Sequence, residues 1–324
     1  MKLQLIMPQY SEDESIVKNM LNSIEIQQGV GFNEFEVLIG NDGSDTKLSE
    51  DFLNSYSYSI KYYQFDHTSP AGTRQKLFDM ATADYVMFCD IDDMFLNALS
   101  LCTIFAFIDK GFDSLLCDFV EEIKDRTTGE IHYLTHTKDD RFVHGKVYRR
   151  QHIIDNSIVW REDIRYHEDS TYNVLALQTS KTALYCKNPL YIWKWRDNSI
   201  CREDPLYVLK TYTRMIYSSS FLIKDFLDRK MFDEAKLRVG MLVYNVYYML
   251  NSSVWLDPMN AKYRYETEKC FKEYYNNFKE LFTTISDDDR RKLVSGIKQR
   301  AISEGVTLEK FTFDEWIKHI EELE

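Results

Sequence analysis

The sequence predicts an α/β domain built on a mainly parallel sheet, followed by a smaller domain made entirely of helices. Two observations carry this. Apolar runs of strand length alternate with helix-spaced segments through roughly the first 200 residues, and after Cys201 such runs give way to long amphipathic stretches. The boundary is expected near Asp204-Pro205, giving domains of 1–203 and 204–324. A length of 324 residues also exceeds what one core usually organises.

Leu3 to Met7 is an apolar run stopped by Pro8, and Phe35 to Ile39 is another stopped by Gly40-Asn41-Asp42-Gly43. Between them Ile16, Val17, Met20, Leu21 and Ile24 recur at helical spacing, so the first unit reads β-α-β. Gly72 to Ala83 is a second helix, and Tyr85 to Cys89 a third strand running straight into Asp90-Ile91-Asp92-Asp93. Ser114 to Val120 and Thr182 to Cys186 are further strands. The second domain is expected to hold helices from about Pro205 to Lys230, Asp233 to Ser252, Pro258 to Phe282, Asp287 to Ser303 and Phe313 to Leu323. Asp204-Pro205, Asp257-Pro258 and the Thr312-x-x-Glu315 box supply capping chemistry. A stripe through Tyr244, Tyr247, Tyr248, Tyr263, Tyr274 and Tyr275 reads as helix–helix packing rather than a platform for bases or sugars.

The composition, 44% hydrophobic and 15% aromatic with 5 Pro, is that of a packed globular chain. The formal charge of −12 is uneven: residues 1–200 carry 20 Lys and Arg against 31 Asp and Glu, and the remainder 20 against 21. An acidic first domain repels a phosphate backbone, so nucleic acid is disfavoured as a partner, and binding of phosphates calls for a divalent cation. No apolar run approaches the roughly 18 residues of a membrane span, and Met1-Lys2-Leu3-Gln4-Leu5-Ile6 lacks a signal-peptide layout, so a cytoplasmic location is expected. The six cysteines stand at no metal-ligand spacing and read as reduced thiols.

Ligands of open α/β sheets bind beyond the carboxyl ends of the strands, which directs attention to three clusters there. Asp90-Ile91-Asp92-Asp93 is the strongest, because an apolar strand has little folding reason to end in three carboxylates. Mutual repulsion is offset if Asp90 and Asp92 hold Mg²⁺ or Mn²⁺, hard cations suited to oxygen ligands; a solvated acidic loop is the alternative. Asn41-Asp42-Gly43-Ser44-Asp45 by itself is ordinary turn chemistry, although Asp42 is placed to accept from a pyrimidine N–H or a ribose hydroxyl. The third cluster is Pro8-Gln9-Tyr10. Arg74 stands in the first turn of a helix, where the dipole disfavours a cation, and so serves either a ligand or a salt bridge. Glu168-Asp169 opens another helix; such acids cap helices, yet one can face a cleft as a general base.

In order, these pieces resemble glycosyltransferase family 2 enzymes of the GT-A fold. The match runs through Leu5-Ile6-Met7-Pro8-Gln9-Tyr10, Val37 to Asp45, Gly72-Thr73-Arg74-Gln75, Tyr85 to Asp93, His144 to Arg150, Glu168-Asp169 and Tyr191 to Ile200. The resemblance implies a Rossmann-like mixed, mainly parallel sheet and an inverting transferase. It places Pro8 and Tyr10 beside the nucleotide, Asp42 on the base, and Arg74 near base or phosphates. Asp90 and Asp92 become the D-x-D pair, with Asp92 the direct metal ligand. Asp169 becomes the catalytic base, and Arg196 and Ser199 fall in a loop that closes over the diphosphate. The family usually has Ala-Arg-Asn where this chain has Thr73-Arg74-Gln75. The implied reaction is one in-line displacement, with a UDP-linked hexose or N-acetylhexosamine as donor and a glycan or other hydroxyl as acceptor. Each opposed charge pair near the metal is worth about 4 kcal/mol at ~4 Å and an effective dielectric near 20. The competing readings are a non-catalytic nucleotide-sugar or glycan-binding protein and a sugar nucleotidyltransferase, although Ile6 to Ser11 lacks the glycine-rich basic loop of the latter. The helical domain is a candidate for acceptor binding, for self-association or for bracing the first domain, and its near-neutral charge favours none of these.

Overall fold

The computed structural model describes residues 1–164, 166–197, 199, 204, 206–303 and 312–323, with 300–303 described by backbone alone. Two compact units emerge, Met1–Ser199 and Ile200–Glu324. Cys201 and Pro205, part of the expected boundary region, lie outside the described residues.

The first unit holds strands β1 (Leu3–Gln9), β2 (Phe35–Asp42), β3 (Ser59–Phe65), β4 (Tyr85–Phe88), β5 (Met94–Phe95), β6 (Ser114–Lys124), β7 (Ile131–His136), β8 (Lys146–Arg149) and β9 (Ala183–Trp193). Its helices are α1 (Glu14–Glu25), α2 (Glu50–Asn54), α3 (Pro70–Met80), α4 (Ser100–Ile108), α5 (Arg150–Asp155) and α6 (Glu168–Gln178). All nine strands share one sheet in the order β3-β2-β1-β4-β8-β6-β9-β5, with β7 added to β6. The β3-β2-β1-β4 half is parallel. Beyond β4, only the β6–β9 pairing is parallel, so the sheet is mixed.

Strand β2 is buried along its whole length, which is why apolar residues dominate it as far as Ile39; the buried Glu36 within it accepts from the Gln4 amide at 2.8 Å. Strand β3 is a half-exposed edge, and its polar alternation hides it from the same reading. In α1, Asp13 caps the first turn by accepting from the N–H groups of Ser15 and Ile16, and Val17, Met20, Leu21 and Ile24 are buried. Register decides what this scaffold can hold. Gln9 pairs with Asn41 and Ile6 with Phe88, so Tyr10, Asp42 and Asp90 leave the parallel strands along one rim.

The second unit contains α7 (Tyr207–Asp228), α8 (Phe232–Leu250), α9 (Ser253–Leu256), a 3-10 turn at Pro258–Asn260, α10 (Ala261–Thr283), α11 (Asp287–Ser303) and α12 (Phe313–Glu322). The capping box at Thr312 and Glu315 is formed. Tyr244, Tyr248, Tyr274 and Tyr275 are buried, and Tyr247 lies against Phe313 and Trp316, so this stripe packs helices together. No helix among the described residues is long and apolar enough to cross a membrane.

Candidate functional site

The turn after β4 carries Asp90, Asp92 and Asp93, each in a different role. Asp93 is 1% exposed; its Oδ1 accepts from the Lys194 N–H and its Oδ2 from the Tyr191 hydroxyl, both at 2.9 Å. Burial, then the negative charges of Asp92 and Asp90, push its carboxyl up. His144 Nδ1 lies 3.4 Å from Asp93 Oδ2, and ligand atoms of Asp90, Asp93 and His144 fall within 4.8 Å of one another. Tyr191 also accepts at its hydroxyl from the Asp90 N–H at 3.0 Å, so the end of β9 fixes the shape of the acidic turn.

Asp90 faces the parallel half. Arg74 Nη2 donates to its Oδ1 at 2.6 Å. Burial alone would raise Asp90, but Arg74, His144 and Arg196 together hold it below the ordinary aspartate range. Asp92 shows the opposite balance: burial and the neighbouring charge of Asp90 outweigh Arg196 and carry it up to about 6. A carboxylate left short of positive charge in this way suits a divalent cation, and Asp90 offers a second oxygen donor on the same turn. Among the described residues the cation paired with Asp92 is Arg196, whose Nε stands 3.3 Å from Asp92 Oδ2 while its Nη1 donates to Glu12 Oε1 at 2.6 Å. Glu12 also accepts from the Tyr10 N–H at 2.9 Å, tying the turn after β1 to the segment after β9. Ser199 joins that segment through its N–H, which donates to the Arg196 carbonyl at 3.2 Å.

At the far end of the rim Asp42 is 3% exposed. Its Oδ1 accepts from the Thr68 N–H at 2.8 Å, and its Oδ2 lies 3.1 Å from His67 Nδ1. Gly43 makes this possible: it takes φ +75°, and an added Cβ would stand 2.5 Å from the His67 nitrogen. Tyr10 remains half exposed with its ring 5.0 Å from that of His67, leaving an aromatic wall beside Asp42. Pro8 is the half-buried residue of β1, followed by the buried Gln9 and then Tyr10.

The carboxylates of α6 reach the same place through Arg74. The N-cap of α6, His167, takes φ +60° and caps with no side-chain hydrogen bond, so Glu168 and Asp169 begin the helix without a polar cap beside them. Arg74 Nη1 lies 3.5 Å from Glu168 Oε1, so one guanidinium joins the acidic turn to the start of α6. Of the two readings of Arg74, the salt bridge is the one observed, with Asp90 on one side and Glu168 on the other. Burial and then the charge of Asp169 raise Glu168 to about 7. Asp169 is also raised, by burial against the opposing pull of Arg74, while its Oδ1 accepts from the Ser170 N–H at 2.7 Å. Lys146 is fully buried nearby and pushed down to about 8 by that burial.

The structure therefore brings Tyr10, Asp42, Arg74, Asp90, Asp92, Asp169 and Arg196 to one rim. Glu168, read from the sequence only as one of a capping or cleft-facing pair, joins them, and so do Glu12, His144, Tyr191 and Lys146, to which local sequence chemistry assigns no separate role. Of these, Glu12 has the weakest signal, because acids in Ser11-Glu12-Asp13-Glu14 are ordinary at a helix entry.

Comparison with known proteins gives a consistent result. The sequence model described as Glycosyl transferase family 2 matches residues 4–170. The chain is 25% identical over 188 residues to the poly(ribitol-phosphate) beta-N-acetylglucosaminyltransferase TarS of Staphylococcus aureus strain Mu50, covering 54% of this chain and 32% of that protein. It therefore spans about a third of that relative. It is 23% identical over 219 residues to the uncharacterized glycosyltransferase EpsJ of Bacillus subtilis strain 168, covering 61% of this chain and 62% of EpsJ. In three dimensions it resembles the crystal structure of S. aureus TarS 1-349 in complex with UDP-GlcNAc, with a TM-score of 0.64 at 17% identity over 96% of this chain and 94% of the other.

Proposed function

The chain belongs to glycosyl transferase family 2 and is a glycosyltransferase, and from that premise we propose a metal-dependent, inverting transfer from a UDP-linked sugar to an acceptor hydroxyl. The observation that carries this reading is the placement of Arg74, which binds Asp90 on one side and faces Glu168 on the other. It gathers at one cleft the two kinds of carboxylate that such a reaction needs. The transferase domain is taken as 1–203 and the helical domain as 204–324.

Asp92 and Asp90 are the proposed holders of Mn²⁺ or Mg²⁺, and Asp93 with His144 braces their turn. When bound, the cation acts as a Lewis acid on the charge that grows on the departing diphosphate. Tyr10 and the His67 ring offer an apolar face to a uracil, with Asp42 as acceptor behind them. That one structural neighbour, S. aureus TarS 1-349, is seen in complex with UDP-GlcNAc supports a UDP-sugar donor. Arg196 and Ser199 lie on the segment after β9, where they close over the phosphates. Asp169 takes the acceptor proton as the hydroxyl oxygen attacks the anomeric carbon from the face opposite the leaving group. Its raised affinity for a proton suits that task.

The deciding experiment is a screen of nucleotide sugars for hydrolysis and transfer with Mn²⁺, repeated in chelator. UDP release from a UDP-hexose or UDP-N-acetylhexosamine, abolished by chelator, is expected. Tight binding without turnover across donors and acceptors would favour a sugar-nucleotide-binding role instead, and turnover unaffected by chelator would remove the metal.

A further inference from the structure

Arg74 is held in an unusual way. It is 5% exposed, yet among the described residues its Nε makes no hydrogen bond and its Nη1 has the 3.5 Å approach of Glu168 alone. One short bond, to Asp90, does not by itself set the orientation of the guanidinium. An aromatic face also lies against it. The Arg74 guanidinium lies 4.9 Å from the centre of the Trp160 ring, and Trp160 stacks on Tyr172 of α6 at 4.2 Å with 10° between the planes. Phe88, the last residue of β4, meets both rings edge-on, at 5.0 Å and 5.4 Å. The indole Nε1 and the Tyr172 hydroxyl make no hydrogen bond among the described residues, so stacking rather than polar pairing orders this column.

Gln75 anchors the column to α3. Its Oε1 accepts from the Trp160 N–H at 2.8 Å, drawing the segment between α5 and α6 onto the arginine. Gln75 is also one of the two positions, with Thr73, at which this chain departs from the Ala-Arg-Asn pattern given above; asparagine there has a side chain one methylene shorter.

We propose that Trp160, anchored by Gln75 and stacked on Tyr172, is a positioning residue that sets the Arg74 guanidinium between Asp90 and Glu168 and so fixes the start of α6 against the acidic turn. The inference goes beyond the reading of Asp169 as base but rests on that reading for its effect on turnover. The groups that face the Glu168-Asp169 pair are Arg74 from α3, Asp90 from the turn after β4 and Lys146 from β8. Of these, Arg74 lowers both carboxyls, so a displaced arginine lets both rise.

The test needs no substrate in its first arm. Carboxyl-¹³C NMR titration follows Glu168 and Asp169 in the wild type, Trp160→Phe, Trp160→Leu and Gln75→Asn. Trp160→Leu is expected to weaken the acidity of Glu168 roughly tenfold, moving its midpoint up from about 7, while Trp160→Phe keeps a ring under the arginine and stays near wild type. Gln75→Asn should fall between them, and it reports on the column if Trp160→Leu fails to fold. In the second arm, UDP-N-acetylglucosamine hydrolysis with Mn²⁺ should show kcat reduced about tenfold in Trp160→Leu, with KM little changed. Midpoints identical to wild type in a folded Trp160→Leu or Gln75→Asn protein would overturn the inference. Asp169→Asn separates the two claims: turnover surviving that change rejects the base and leaves the titration result standing.

Discussion

Arg196 Nε stands 3.3 Å from Asp92 Oδ2, so the carboxylate assigned to a metal is already shared with a cation of the chain itself. A divalent ion must compete with that contact, and its binding should be coupled to UDP, whose phosphates give Arg196 another partner. Asp92→Asn is therefore expected to weaken Mn²⁺-dependent UDP binding at least about tenfold, read by calorimetry in Mn²⁺ and in chelator. Equal affinities in both conditions for the wild type would count against the metal role.

Asp92 also carries a stability prediction. Its folded value of about 6 lies above the ordinary aspartate value, so its protonation favours the folded state. That contribution is full below the unfolded value and disappears as pH rises through about 6. At pH near 7.5 the wild type holds a buried charge that asparagine lacks, and Asp92→Asn should raise Tm by roughly a few degrees. Near pH 4 the difference should vanish. A lower Tm for the variant at both pH values would show that Asp92 is a structural partner instead.

Asp169→Asn preserves shape but cannot accept a proton. Transfer should fall by about 10²- to 10⁴-fold while UDP affinity stays within roughly twofold. Because burial raises Asp169, the acid limb of the wild-type kcat profile should lie above the ordinary aspartate range. Loss of UDP binding in parallel with activity would point to a folding defect.

Gly43 is a backbone test of the nucleotide end. Alanine there would need φ +75° and would drive its Cβ into the His67 backbone, the segment that grips Asp42. A loss of about 1–3 kcal/mol in stability is expected, together with weaker UDP binding. Denaturant melts and calorimetry on the same preparation check both, and unchanged values would show that the 66–68 segment is free to move aside.

Strands β1, β2, β4, β6 and the start of β9 were legible because burial leaves runs dominated by apolar side chains, even where a buried Gln4 or Glu36 interrupts them. Others were not. Strand β3 is a half-exposed edge of the parallel half, β8 has only four residues and β5 has two, so none leaves a long apolar run. The same limit applies at the site. Carboxylates that follow strands can be found locally, as Asp42, Asp90 and Asp92 were. Their partners come from distant chain: Thr68 for Asp42, Tyr191 for Asp93, and Glu12 for Arg196. Trp160 is a further case, since a lone tryptophan between helices says nothing of the arginine that will lie on it.

The hydroxyl of Tyr191 bonds to the acidic turn about a hundred residues before it in the chain. During synthesis the ribosome has released Asp90, Asp92 and Asp93 long before that brace exists, and until β9 emerges the turn lacks the donors that hold Asp93. A nascent chain halted at residue 170 would carry every acidic group of the proposed chemistry and still be unable to arrange them. The shape of the acidic turn is thus completed by the last strand to be made, which takes its place in the sheet between β6 and β5.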